Sequence, residues 1–511
     1  MVARFIDRLL DTPSARLEAL VKSHDEARAH YEPYRKYWNG DHEVRLTARL
    51  KQFLQLSGFH AENGGFRDNL CPIVIESLSD RLRIASFSVP GEESPPPVES
   101  APVPGDANEG KVGPIAQFAQ DAWQRNRGER LQMDVHEAAV ALGDAYVLTE
   151  WDPIEERVRF SFEDPAMVRV VYDPENASKV LLASKRWTVS SVIVPVTGEL
   201  PTDASVRLNV YYPDRIERWI RNGLIGGGIW RKFFGDDAPD QWPIWWTDTG
   251  EEGGEPLGIA VTHFPNQARG GNFGRSEIAD VIPLQDALNK AVVDAVRVMD
   301  AMGWPQRYGT GISEAPTDDL IAIPGSFWWT KEENAKFGQM EDAGAEGIIN
   351  VWNKFEESVS AVTRTPQHLF RVTNGVPSGE ALKTAENGLV SKAIKRSIVF
   401  GDAWEDVMEL AFRIARANGA IAGELPDSGF LVEWENPETR GDELQHIQAI
   451  NAKEGISRRQ RWREYGYTDE QIERMESELA NEPNVLEDAL AAFDAGGGAS
   501  AEMRGRPMRG A

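Results

Sequence analysis

The apolar positions between residues 277 and 302 recur every three or four residues. They predict a helix from Glu277 to Met302, because steps of 4, 4, 3, 4 and 3 place all of them on one face: Leu284, Leu288, Val292, Ala295, Met299 and Met302. Pro283 lies inside this pattern and lacks a backbone N–H. The helix therefore either begins near Asp280 or kinks at Pro283.

Two further helical patterns follow. Residues 346–363 carry a narrow apolar seam, at steps of 4, 3, 4 and 3, that suits packing against a neighbouring helix: Ile348, Trp352, Phe355, Val359 and Val362. Residues 379–417 predict a helix of roughly 58 Å if it is unbroken, and Gly388 and Gly401 favour a kink in it. A Trp-, Pro- and Gly-rich insert (303–345) separates the first two helices, so the pattern describes a projecting pair of helices that carries a small module.

The N-terminal third alternates between helical and strand patterns. Ser14 can cap a helix that runs to about Trp38, and another helix follows Asn69. A Pro-, Gly- and acid-rich loop over 89–114 precedes predicted helices at 113–126 and 131–142. Short β-rich runs between turns then predict an antiparallel meander and hence an α+β domain: 145–151, 157–162, 168–172, 180–189, 206–211 and 216–221.

The C-terminal part predicts one strand and three helices. The strand covers Phe430 to Trp434, and the helices cover 441–452, 457–465 and 468–493. The Gly-rich tail from Ala495 is predicted to be disordered.

Composition indicates a folded and strongly acidic protein. The 511 residues are 41% hydrophobic, include 16 Trp and carry a formal charge of −26. No run approaches the 18 apolar residues of a membrane span, and the N-terminus lacks a signal-peptide core. Cys71 is the single cysteine, which excludes an intrachain disulfide and fits a reducing cytoplasm. The acidic charge weighs against tight binding of nucleic acid.

Searches for catalytic and cofactor motifs fail. Gly105 to Lys111 has the spacing of a phosphate-binding loop, but Val112 stands where a hydroxyl should meet Mg²⁺ and no strand precedes it. His42-Glu43 and His136-Glu137 lack the second histidine of a zinc helix, and no Gly-x-Ser-x-Gly elbow occurs. The sequence therefore predicts no catalytic residue, no cofactor and no metal site.

One interval departs from the acidic background. The 22 residues between Glu357 and Glu380 contain no Asp or Glu, although the chain average of 81 in 511 would place about 3.5 there. The same interval carries Arg364 and Arg371. This acid-free interval is either a chance feature of a buried junction or a segment that contacts a polyanion transiently.

Several sequence elements resemble portal proteins of tailed double-stranded DNA bacteriophages, of the kind found in siphophages of actinobacteria. Each element is short, and their order along residues 15–480 carries the resemblance. They are Tyr34-x-x-Tyr37-Trp38-x-Gly40, Asn69-Leu70-x-Pro72-Ile73-Val74, Trp123-x-x-Asn126, Gly143-Asp144-Ala145-Tyr146-Val147, Asp164-Pro165, Tyr172-Asp173-Pro174, Phe264-x-Asn266, Gly274-Arg275-Ser276-Glu277-Ile278, Leu284-Gln285-Asp286-Ala287-Leu288-Asn289, Thr365-Pro366 and Ser378-Gly379-Glu380-Ala381-Leu382.

The resemblance implies an α+β portal fold that forms a ring, usually of twelve subunits, at one capsid vertex of the virion. Its implied parts are a wing with an antiparallel sheet (1–275), stem helices (276–302 and 346–363), a clip (303–345), a tunnel loop (364–378), a long kinked helix with a return strand (379–440), crown helices (441–494) and a disordered tail (495–511). The implied partners are transiently and non-specifically bound double-stranded DNA, the terminase large subunit, the head-tail adaptor, the major capsid protein and the scaffold. No membrane is implied, and synthesis is expected in the host cytoplasm.

The resemblance also indicates which residues matter. DNA-facing residues are expected in the tunnel loop: Arg364, His368, Arg371 and Asn374. Clip contacts are expected at Trp304, Tyr308, Trp328, Trp329 and Lys331, and stem packing at Leu288, Val292, Met299, Trp352, Phe355 and Val359. Two alternatives stay open: a structural ring or adaptor through which no DNA passes, and an ATP-driven nucleic-acid motor, for which the phosphate-binding loop is missing.

Overall fold

The computed structural model divides into two compact units, residues 1–439 and 440–511. It describes residues 13–41, 68–92, 113–173, 175–176, 179–189, 205–222, 229–232, 256–267, 273–303, 307–311, 333–339, 346–370, 379–437, 457–464 and 472. Each unit is described by itself below.

The helices of the first unit agree with the apolar periodicity. They are α1 (Pro13–Asn39), α2 (Cys71–Ser79), α3 (Pro114–Arg125), α4 (Gly128–Leu142), α5 (Ile282–Gly303), α6 (Glu346–Thr363) and α7 (Gly379–Ala417). Proline occupies the first turn of α2 and of α3, where a missing N–H costs nothing. The helices α6 and α7 begin and end at the predicted residues.

The start of α5 settles the question raised by Pro283. The helix begins at Ile282, beyond Asp280, and Pro283 therefore lies in its first turn. Residues 276–281 form turns, in which the N–H groups of Val281 and Ile282 both donate to the carbonyl of Ile278. The helix α7 runs through Gly388 and Gly401 without interruption, and a bend at either glycine stays a prediction.

The strands from 144 to 232 form two antiparallel sheets, whereas the sequence predicted one meander. The meander proper contains β4 (Val168–Tyr172), β5 (Val180–Val189), β6 (Ser205–Tyr211), β7 (Ile216–Asn222) and β8 (Arg231–Lys232). The strands β2 (Asp144–Asp152) and β3 (Arg157–Glu163) form a separate sheet with β9 (Val261–Pro265), in the order β3-β2-β9.

The strand β9 (Val261–Pro265) explains this separation, because it pairs with the free edge of β2. Tyr146 stands opposite Glu163 on one side and opposite His263 on the other. Residues 144–149 are buried without alternation, as expected for a central strand that is covered on both faces.

Another pairing joins residues far apart in the chain. The strand β1 (Ile84–Ser88), which the sequence did not predict, pairs antiparallel with β12 (Leu431–Trp434), which it did predict. The helix α7 packs against β12, β9 and β2. Its Trp404 is fully buried and makes edge-on contacts with Trp123 and Phe264, at ring-centroid distances of 5.1 and 4.9 Å.

The insert between α5 and α6 contains a small sheet. Its strands β10 (Arg307–Thr310) and β11 (Lys336–Gln339) pair antiparallel, with Tyr308 opposite Gly338. In the second unit, helix α8 (Arg458–Glu464) lies within the predicted helix 457–465. The predicted helices 441–452 and 468–493 fall outside the described residues except for Ile472, which is helical and buried.

Candidate functional site: the junction of the central helices

The chain leaves α6 through an unusual helix end. The N–H of Thr365 donates to the carbonyl of Ser360 at 3.2 Å, and the Ser360 hydroxyl donates to the carbonyl of Thr365 at 2.7 Å. This i to i+5 bond is the mark of a Schellman motif, whose left-handed residue is usually glycine. Here Arg364 occupies that position, with φ of 58°. A Cβ in this region costs about 1–2 kcal/mol.

The helices α1 and α7 end in a left-handed glycine, whereas α3 is followed by the left-handed Arg127. The helix α1 ends in Gly40 at φ of 71°, with a bond from the Asp41 N–H to the Lys36 carbonyl. The helix α7 ends in Gly419 at φ of 73°. Arg364 is therefore an exception to local preference, and it lies in the acid-free interval.

Lys392 of α7 binds the last residue of α6. Its Nζ donates to the carbonyl of Thr363 at 2.9 Å and lies 2.7 Å from Oε2 of Glu277. The Lys392 and Glu277 side chains are 10% and 4% exposed. Because Glu277 lies in the turns that precede α5, Lys392 connects all three central segments.

Glu277 accepts further bonds that keep it ionised. Its Oε1 accepts from Nη2 of Arg396 at 2.8 Å, from Nε2 of Gln267 at 2.7 Å and from Nδ2 of Asn266 at 3.2 Å. Burial alone would raise the pKa of Glu277, but the charges of Lys392 and Arg396 and their hydrogen bonds outweigh it and lower the pKa to about 2. Burial also lowers the pKa of Lys392, and the pairing with Glu277 opposes that effect.

Glu386, also on α7, holds the residues beyond Thr363. Its Oε1 lies 3.3 Å from Nε2 of His368, and its Oε2 lies 3.1 Å from Nη2 of Arg81. His368 belongs to a 3-10 turn, Gln367–Leu369. Leu369 and Phe370 pack against the main core. We call residues 363–370 the loop base.

The predicted loop residues divide between two settings. Arg364 is exposed, whereas the side chain of His368 faces Glu386 and is 22% exposed. Arg371 and Asn374 lie outside the described residues.

The predicted stem and clip residues are only partly described. Leu288 and Val359 are fully buried, and Val292, Trp352 and Phe355 are half-buried. The helices α5 and α6 contact each other. The side chain of Met299 is outside the description. In the clip, Tyr308 is 48% exposed, and Trp304, Trp328, Trp329 and Lys331 lie outside the described residues.

The sequence reasoning missed the charged residues that hold the loop base. Lys392 and Arg396 are one helical turn apart and share a face of α7 with the fully buried Leu389 and Phe400. Cations at core-facing positions of an amphipathic helix are the signal that could have revealed them, because such charges need a buried partner.

Two sequence elements of the resemblance meet where the chain turns toward α5. Gly274 lies so close to Gly143 that a Cβ on it would stand 1.9 Å from the Gly143 carbonyl oxygen. Asp144 is fully buried, and its Oδ1 accepts from the Gly274 N–H and from Nε2 of His263, both at 2.8 Å. The Tyr31 hydroxyl donates to its Oδ2 at 2.6 Å.

This network keeps Asp144 ionised and fixes the turn. Burial alone would raise the pKa of Asp144, but the hydrogen bond and charge of His263, with the bonds from Tyr31 and Gly274, lower it. Every oxygen of the carboxylate is engaged, so its role is to hold the turn toward α5.

Two further searches cover the described ranges alone. Within them, no three or more His, Cys, Asp or Glu side chains are grouped so that they could hold a metal ion. No helix in the same ranges is both long and apolar enough to span a bilayer.

Comparison with known proteins defines the class to which this fold belongs. The family model "Phage portal protein, SPP1 Gp6-like" matches residues 100–484, about three quarters of the chain. The chain belongs to this family of phage portal proteins, and the resemblance seen in the sequence is confirmed. The elements before residue 100 lie outside the matched range.

Individual relatives share shorter stretches. The portal protein of Mycobacterium phage D29 is 27% identical over 218 residues, which cover 40% of this chain and 42% of that protein. The portal protein of Mycobacterium phage L5 is 27% identical over 194 residues, 35% of this chain and 39% of that protein. The chain thus spans about two fifths of the length of these relatives. A solved structure, the neck of an empty GTA particle computed with C6 symmetry, is 9% identical, with a TM-score of 0.38 over 69% of this chain and 82% of that one.

Proposed function

We propose that this chain is the subunit of a portal ring, through which double-stranded DNA enters and leaves the capsid at one vertex of the virion. The match to the portal family over residues 100–484 carries this proposal. That family is structural and not enzymatic.

Exposed aliphatic side chains support assembly into a ring. Val351 and Val362 of α6 are 48% and 51% exposed, and their spacing of eleven residues puts them on one helix face. Ile394 and Ile398, one turn apart on α7, are 48% and 62% exposed. Exposed apolar residues grouped on helix faces mark interaction surfaces. We assign these faces to neighbouring copies of the chain, twelve in the complete ring.

The charge distribution supports passage of DNA without tight binding. Twelve chains of charge −26 carry −312 in total, so phosphates are repelled by most of the surface. Arg364 is exposed in the acid-free interval, and we propose that it meets phosphates together with Arg371 and Asn374 of the same loop. Contacts with phosphates do not depend on the base sequence of the DNA. A channel that passes a whole genome needs contacts of this kind.

We assign the docking of other virion proteins to the insert and the wing. The insert 303–345 contains the β10–β11 sheet with an exposed Tyr308, and its sequence also contains Trp304, Trp328, Trp329 and Lys331. In the proposal it binds first the terminase large subunit and later the head-tail adaptor. The wing contacts the major capsid protein and, during assembly, the scaffold.

Electron microscopy of the purified chain, followed by a packaging assay, tests this function. The expected result is rings whose central hole admits a B-form duplex, and DNA packaging by particles that depends on the chain. Rings whose hole is too narrow for a duplex would favour a structural adaptor. Hydrolysis of ATP by the purified chain alone would favour the motor.

A further inference from the structure

We propose that Lys392 and Glu386 are positioning residues for DNA passage. They tether the loop base to α7, so that the exposed Arg364 is presented to DNA from a fixed backbone. This inference rests on the proposed function, and it assigns to the tether His368, which the sequence had placed among the DNA contacts.

The two tethers act at Thr363 and at His368 of the loop base. Lys392 binds the carbonyl of Thr363 at 2.9 Å, and Glu386 lies 3.3 Å from the ring of His368. The two tethering residues are six positions apart on α7, which is about 9 Å along the helix axis. The six residues from Thr363 to His368 are held at both ends and have little freedom to move relative to the helix.

Each tether continues into the wing. Lys392 is paired with Glu277, which Arg396, Gln267 and Asn266 also bind. Glu386 is paired with Arg81 in the chain just after α2, and the Arg81 Nη1 donates to the Ser77 carbonyl at 3.2 Å. The loop base is therefore fixed to the wing as well as to α7, and these bonds lie in largely buried surroundings.

The backbone next to Arg364 explains why such tethers are needed. Arg364 holds a left-handed conformation that an arginine does not favour, and residues kept in such conformations need support from the surrounding structure. The Lys392 bond to Thr363 and the Ser360–Thr365 bonds provide this support on both sides. The arginine is thereby presented from a fixed backbone while its side chain stays in solvent.

The test compares three variants of the full chain. Lys392→Met removes one tether and Glu386→Gln weakens the other, whereas Lys392→Arg keeps a cation near Glu277 and Thr363. Lys395→Met is the matched control, since Lys395 is an exposed lysine on the same helix. Each variant is examined for ring formation by electron microscopy, for amide hydrogen exchange of peptides within 363–370, and for packaged DNA length.

We expect Lys392→Met and Glu386→Gln to form rings, to exchange the loop-base amides at least about tenfold faster and to package shorter DNA. Lys392→Arg should restore most of the packaged length, and Lys395→Met should match the original chain. A tether that only stabilised the fold would change the melting temperature and leave packaged length in assembled rings unaltered.

The outcomes separate this inference from the proposed function. Unchanged hydrogen exchange in both variants would refute the tether. Faster exchange with full-length packaging would refute its positioning role. If the unaltered chain forms no ring or supports no packaging, the proposed function fails, while the exchange data still decide whether the tether exists. Should Lys392→Met not fold, Glu386→Gln and His368→Gln carry the test.

Discussion

At the scale of single residues, Arg364 and His136 show two different uses of an unusual environment. Arg364 occupies a left-handed helix end where α1 and α7 have glycine, so local preference is overridden at the loop assigned to DNA. His136 is fully buried, and its Nδ1 donates to the Leu82 carbonyl at 2.8 Å while its Nε2 accepts from the Trp404 indole at 2.9 Å. The conformation of Arg364 bears on the proposed DNA contact, whereas the burial of His136 bears on the stability of the fold.

Replacing Arg364 separates strain from charge. Arg364→Gly should raise the free energy of unfolding by about 1 kcal/mol, because glycine adopts the left-handed region without a Cβ penalty. The same variant should shorten packaged DNA, because the cation is lost. Arg364→Lys, which keeps both strain and charge, is the control.

Replacing Arg364 and Arg371 together with Glu should shorten the packaged DNA further, because the charge is reversed. Full-length heads from that double variant would refute the phosphate contact.

His136 should make the fold sensitive to acid. Burial lowers its pKa to about 4, opposed by the hydrogen bond to Leu82. Below pH 6.5 the unfolded chain binds a proton that the folded chain refuses until about pH 4, so stability falls through this window. The loss from this residue by pH 5 is about 2 kcal/mol.

Urea denaturation at pH 7.5 and pH 5.0 measures this effect. The variant His136→Gln should be less stable than the original chain at pH 7.5, yet lose less between the two pH values. His24, whose pKa burial lowers to about 3, contributes in the same direction and remains in both chains. An equal pH dependence of the two chains would contradict the assignment.

At the scale of elements, α7 organises the molecule by presenting different faces to different partners. Trp404 and Phe400 lie in the main hydrophobic core, Lys392 and Glu386 hold the loop base, and Ile398 is exposed. The charged partners of α7 are buried, so removing one of them should destabilise the fold more than removing one partner of a surface ion pair.

The pair of Glu277 and Lys392 should be strongly coupled. Glu277→Gln leaves two cations without their carboxylate and should destabilise the fold by about 3–5 kcal/mol. The double variant Glu277→Gln with Lys392→Met should lose less than the sum of the two single variants, as a double-mutant cycle would show.

The surface pair of Lys354 and Glu357 on α6 is the control for this cycle, with side chains 77% and 44% exposed. Glu357→Gln should cost less than about 1 kcal/mol. Additive effects of the Glu277 and Lys392 substitutions would contradict the coupling. Since the folded pKa of Glu277 is about 2, below the ordinary 4.5, its contribution is present above pH 4.5 and is lost as pH falls toward 2.

At the scale of the whole molecule, the proposed function requires an acidic subunit to assemble with copies of itself and to let a polyanion pass. The net charge opposes both contacts at long range, although salt screens it beyond about 8 Å. In the proposed ring, the apolar faces on α6 and α7 supply the short-range attraction between subunits. The loop without acidic residues is the proposed place at which DNA is not repelled.

Charge introduced on the exposed face of α7 should prevent assembly without unfolding the chain. Ile398→Glu buries a carboxylate between copies in the proposed ring, so rings should be lost in electron microscopy while the melting temperature of the single chain changes little. Ile154→Glu is the matched control, because Ile154 is 91% exposed in the turn between β2 and β3. Normal rings from Ile398→Glu would show that this face is not between subunits.

The sequence alone determined those elements that depend on short-range physics. The bounds of α6 and α7 were predicted to the residue, because apolar phase and helix hydrogen bonds are properties of neighbouring positions. Four of the five strands of the meander, β4 to β7, were predicted for the same reason, from alternation and turns. The portal family was evident from the order of short sequence elements, and Arg364 was evident as a cation in an acid-free interval.

Only the tertiary structure decided how distant residues meet. The pairing of β1 with β12, the insertion of β9 beside β2 and the tethers from Lys392 and Glu386 all join residues that no local pattern connects. Burial then gave these contacts their strength, because a charge removed from water needs a partner that only the folded chain brings to it. For this reason the sequence placed His368 with DNA, whereas the fold places its ring against Glu386.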